Sequence, residues 1–62
     1  MGYFELKKSG TTLLTQKYYF VLKASNGETI AQSEMYSSKQ AALNGIQSVK
    51  NNAPTAPVRD NT

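Results

Sequence analysis

A chain of 62 residues with seven basic and four acidic side chains, a formal charge of +3, has room for a single domain. It contains no Cys, His or Trp, which excludes a disulfide framework, thiolate chemistry and the usual zinc and haem ligands. No run of about 18 apolar residues is present to span a bilayer, and Lys7 and Lys8 follow the short apolar N-terminal stretch rather than precede it, unlike a signal peptide, so the expected compartment is the cytoplasm.

Residues 3–7 alternate with period two, as a half-buried strand does, with Phe4 and Leu6 on one face and Tyr3, Glu5 and Lys7 on the other. Ser9-Gly10-Thr11-Thr12 reads as a turn, and Leu13-Leu14-Thr15 fits either an extended hairpin or a loop. Residues 17–24 carry the strongest strand signal: Tyr18, Phe20, Leu22 and Ala24 form an apolar face, while Lys17, Tyr19, Val21 and Lys23 form a mixed one. Asn26-Gly27 marks a hairpin, and residues 29–33 form the return strand. A two-residue loop would set Ile30 opposite Lys23 on the mixed face. A three-residue loop, Ser25-Asn26-Gly27, would set it opposite Leu22 in the core, and burial of Ile30 favours the latter.

A helix is expected from Ser37. Ser37 and Gln40 have capping-box spacing, and Tyr36 and Ala41 suit a hydrophobic staple. Ala42, Ile46, Val49 and Ala53 recur at helical intervals and define the buried stripe, with Leu43 at its border. Gly45 costs about 1 kcal/mol relative to Ala inside a helix, so a close backbone approach is expected there. Asn51-Asn52 and Pro54 end the helix. Residues 56–60, Ala56-Pro57-Val58-Arg59-Asp60, suit a short edge strand, where proline is tolerated. The expected fold class is α+β: a three-stranded antiparallel meander, one helix packed on the sheet, then a C-terminal edge strand, in one domain over residues 1–60 with a tail at 61–62. The expected core is Phe4, Leu6, Tyr18, Phe20, Leu22, Ile30, Ala42, Ile46 and Val49, with Val58 buried against a second subunit.

Size points the same way. A domain of about 60 residues buries only some 60% of its unfolded surface, and small scaffolds usually add disulfides, a metal or oligomerisation. Composition excludes the first two, which favours a homo-oligomer.

Several motifs together resemble the YegP-like family of small bacterial proteins. They are Phe4-Glu5-Leu6, Tyr18-x-Phe20-x-Leu22-Lys23-Ala24-Ser25-Asn26-Gly27-Glu28, Ile30-Ala31-x-Ser33-Glu34, Tyr36-Ser37-Ser38-Lys39, Asn44-Gly45-Ile46-x-Ser48-Val49-Lys50 and Asn52-Ala53. The resemblance implies three strands, a helix and a strand per motif, with two motifs sharing a sheet and exchanging their last strands. This chain carries one copy, so the resemblance implies a homodimer in which residues 56–60 enter the partner's sheet. It supplies no catalytic residue. Two departures stand out: residues 9–16 are longer than the usual turn, and Tyr19, Val21 and Leu43 are apolar where relatives tend to be polar.

Catalysis is not expected. Glu5, Glu28, Glu34 and Asp60 are scattered, and Lys8-Ser9-Gly10-Thr11 lacks the GxxxxGK[ST] order of a phosphate loop. No metal or cofactor is expected either. Two surfaces are candidates for binding. Ser37, Ser38 and Lys39 surround a helix start whose free N–H groups attract anions, although a simple cap by Ser37 with a solvated Lys39 is the favoured explanation. Tyr3, Lys7, Lys17, Tyr19 and Lys23 place aromatics and cations on one sheet face, a composition able to stack bases and neutralise phosphates. Cross-strand packing is the plainer account of that face. The preferred expectation is therefore a cytoplasmic homodimeric structural or interaction module, with weak single-stranded nucleic-acid binding as the alternative.

Overall fold

The computed structural model describes residues 1–10, 12 and 15–62. The ambiguous Leu13-Leu14 stretch, and Thr11 of the first turn, lie outside the described residues. Period-two alternation produces three strands: β1 (Tyr3–Ser9), β2 (Lys17–Lys23) and β3 (Thr29–Gln32). They form an antiparallel meander in the order β1-β2-β3, followed by α1 (Lys39–Asn52) and a 3₁₀ turn, Ala53–Thr55. Among the described residues no helix is long and apolar enough to cross a membrane.

β1 and β2 pair without interruption from Tyr3↔Lys23 to Ser9↔Lys17, so Phe4 and Leu6 stand beside Leu22 and Phe20 on the expected apolar face. In the second hairpin Gly27 N–H donates to the Ala24 carbonyl at 2.9 Å, and Ala24 N–H donates to the Glu28 carbonyl at 2.8 Å. Gly27 takes a positive φ of 87°, which a residue with a Cβ rarely adopts. This is the three-residue loop, but it does not bury Ile30. Lys23 faces Thr29 and Leu22 faces Ala31, leaving Ile30 as an extra residue in a β-bulge, 63% exposed. The cause lies further along the strand. Ser33 N–H donates to the Phe20 carbonyl, and Ser33 Oγ accepts from Phe20 N–H, both at 2.9 Å. The turn fixes one end of the ladder and Ser33 the other, with one residue too many between them.

Tyr18 and Tyr36 exchange backbone hydrogen bonds of 2.9 and 2.7 Å, which anchors the entry to the helix beside β2. The helix begins one residue later than expected. Ser38, in extended conformation, is the N-cap in place of Ser37, and its Oγ accepts from Ala41 N–H at 3.1 Å, so the cap of the expected Ser37–Gln40 box is not used. Pairing of Tyr36 with β2 uses residue 37 to turn the corner, so the cap falls on the next serine. The helix ends at Asn52 as read, but Ala53 is exposed rather than part of the buried stripe.

Phe20 sits at the centre of the core, edge-on to Phe4 (centroids 5.8 Å apart) and stacked on Tyr36 (6.2 Å). Ala42 is wholly buried. Gly45 meets its expectation of close approach: a Cβ there would stand 2.5 Å from the Tyr36 hydroxyl oxygen and 3.1 Å from Phe20 Cε2. Phe4, Leu6, Tyr18, Leu22, Ile46 and Val49 are only half-buried. Val21, on the mixed face, is 5% exposed because it occupies the middle of the central strand between Glu5 and Gln32. No strand forms after the helix: residues 56–62 are exposed throughout, and Val58 is 94% exposed. A strand needs a sheet edge, and within one copy the segment lies on none.

Candidate functional site

α1 lies over the apolar face of the sheet but does not close it. A groove of about 430 Å³ remains between them, floored by Phe4, Phe20, Leu22 and Ala31 and walled by Gly45 and Val49 of α1. Its outer rim is Gln32, Ser33, Glu34 and Tyr36, carried by β3 and the link into the helix. Apolar residues that a larger domain would cover are thus left open along one side, next to β3, an edge strand. The sequence marks Phe4, Phe20 and Leu22 of this floor as core; Phe20 is buried, Phe4 and Leu22 are half-buried, and Ala31, which it does not mark, is exposed. It does not mark Ser33, which shapes the rim by its double contact with Phe20; a serine closing a strand gives no periodic signal.

The opposite sheet face brings together the residues expected there. Tyr3 stands opposite Lys23, Lys7 opposite Tyr19, and Lys17 opposite Ser9. Glu5 sits among them and pairs with Lys7 at 3.5 Å and with Lys23 at 4.0 Å. One carboxylate therefore offsets two of the three lysines, which weakens the attraction this face offers to phosphates.

At the helix start, the expected trio separates. Ser38 is committed to the cap and Ser37 lies outside the helix. Lys39 instead joins Leu6, Lys7, Lys8 and Tyr18 around a second cleft of about 280 Å³. Lys8 and Tyr18 are cross-strand partners, which is why they share this end of the sheet. In the exposed C-terminal segment, the Thr62 hydroxyl and then its N–H donate to Asp60 at 2.6 and 3.0 Å, holding that carboxyl below its ordinary range. Among the described residues no group of three acidic side chains is placed to hold a metal ion.

Comparisons with known proteins agree with this architecture. A family model described as a domain of unknown function, DUF1508, matches residues 15–60. The UPF0339 protein YegP of Yersinia pestis is 52% identical over 54 residues, which cover 87% of this chain and 45% of the relative. A UPF0339 protein of Bordetella pertussis is 59% identical over 44 residues, covering 71% of this chain and 40% of the relative. The chain therefore spans somewhat less than half the length of these curated relatives. An NMR solution structure of a protein from Haloferax volcanii matches with a TM-score of 0.80 at 40% identity, covering 95% of this chain and 93% of that one. That neighbour is nearly the same length and shares the fold of this chain.

Proposed function

The chain belongs to the DUF1508 family, and from that premise we propose that it is a non-catalytic, self-associating interaction module whose groove receives residues 56–60 of a second copy. One observation carries this reading: an open apolar groove in a chain whose C-terminal segment is itself exposed and presents Val58 with no cover. Fully burying a valine side chain contributes about 1.5–3 kcal/mol. In a two-fold dimer the contact occurs twice, because the same patch meets itself. An extended segment laid along β3 would also satisfy that strand's free edge, the usual mode of strand addition. Pro57 suits such a position, since an added edge strand tolerates a missing N–H.

The lengths of the relatives support the same picture. Chains about twice as long have room for two motifs that complete each other, and two copies of the motif described here could do the same. Against catalysis stands the placement of the carboxylates: Glu5 on β1, Glu28 in a turn, Glu34 beyond β3 and Asp60 in the tail. The lack of cysteine suits the reducing cytoplasm we assign it. Single-strand binding on the Tyr3 and Tyr19 face has less support, since Glu5 holds two of its lysines.

Deleting residues 56–62 tests the proposal by sedimentation velocity and thermal denaturation. The full chain is expected at twice its monomer mass, and the truncated chain as a less stable monomer. A truncated chain with unchanged mass and melting temperature, or a full chain that sediments as a folded monomer, would refute it.

A further inference from the structure

The second cleft lies at the other end of α1 from the groove's Val49 wall, and its lining has a different chemistry. Two of the chain's six lysines, Lys8 and Lys39, line it together with Tyr18 and Leu6; Lys7 also borders it, but its ammonium pairs with Glu5 on the opposite sheet face. Lys8 and Lys39 come from two elements, β1 and the first turn of α1, and the Tyr18–Tyr36 bridge brings these together. Like charges gathered over one cleft repel, and the repulsion grows wherever water is partly excluded. An offsetting carboxylate would be the ordinary remedy. Here only Lys7 has one, Glu5; among the described residues neither Lys8 nor Lys39 has a carboxylate within 4 Å, and the first turn of α1 carries no acidic residue. The helix end itself is not what makes this place unusual, since Ser38 already caps it.

We propose that this cleft binds a terminal phosphoryl group, such as a phosphomonoester or pyrophosphate presents, with Lys8 and Lys39 as its charge partners and the Tyr18 hydroxyl as a hydrogen-bond donor. Lysine serves such ligands as a mobile point charge. Two lysine charges over one cleft suit a terminal phosphoryl group, which carries close to two charges, better than a nucleic-acid strand, whose phosphodiesters carry one each. The site is independent of the dimer reading, as it shares no lining residue with the apolar groove.

Titration of the full chain with pyrophosphate, followed by amide chemical shifts at constant ionic strength, tests this. Saturable shifts are expected at residues 7–8, 18 and 38–41. Lys8→Ala and Lys39→Ala should each weaken binding by about tenfold, while Lys17→Ala, on the opposite sheet face, should leave it unchanged. The proposal fails if no shifts appear, if chloride at equal ionic strength reproduces them, or if either cleft variant binds as the parent does. It fails equally if a single-stranded oligonucleotide shifts these amides and pyrophosphate does not.

Discussion

Gly45 shows how a single missing side chain sets the distance between helix and sheet. Replacing it by alanine gains about 1 kcal/mol in helix propensity. The added methyl would stand 2.5 Å from the Tyr36 hydroxyl oxygen and 2.9 Å from Cζ. Tyr36 has little freedom to retreat: its ring stacks on Phe20 and its backbone is held to Tyr18 by two hydrogen bonds. Overpacking of this kind typically costs about 1–3 kcal/mol, so Gly45→Ala should lower the melting temperature despite its better propensity. A raised melting temperature would show that α1 is not seated on Tyr36. The glycine's purpose was legible in the sequence, because a glycine inside a helical stripe calls for a close neighbour. The identity of that neighbour was not, since Tyr36 reaches it only through the chain's return to β2.

At the scale of elements, periodicity identified all three strands and the helix, and it failed where two local demands compete for one residue. Ile30 is such a case. Turn chemistry at Gly27 and the pairing of Ser33 with Phe20 each fix a register, and the difference is taken up by pushing Ile30 out of the ladder. The helix cap is another. Ser37 and Ser38 both have cap chemistry, and only the Tyr36 bridge decides between them. Ser38→Ala should therefore cost about 1 kcal/mol in urea denaturation, whereas Ser37→Ala should be close to neutral. Equal effects, or the reverse order, would place the cap where the spacing alone had put it. The candidate sites divide in the same way. The basic sheet face was readable from alternation, but the cleft uniting Lys8 with Lys39 joins residues 31 positions apart and has no sequence signature.

For the whole molecule, the governing fact is how little one copy buries. Among the described residues Phe20, Val21 and Ala42 are the buried apolar ones, and six of the nine expected core side chains remain half-open, three of them, Phe4, Leu22 and Val49, around the groove. Length and composition foreshadowed this shortage, since a sequence this small without cysteine has no disulfide to make up for a thin core. The groove's place and shape were not foreshadowed, because they follow from where α1 lands. The missing C-terminal strand follows from the same placement: residues 56–60 have strand character but lie on no sheet edge. The most direct test is an isotope-filtered NMR experiment on an equimolar mixture of ¹³C-labelled and unlabelled full-length chain. Contacts between the Val58 methyls of one copy and Phe4 or Val49 of the other are the predicted result. Val58 methyls that show no contact across copies, in a sample otherwise well folded, would contradict the account.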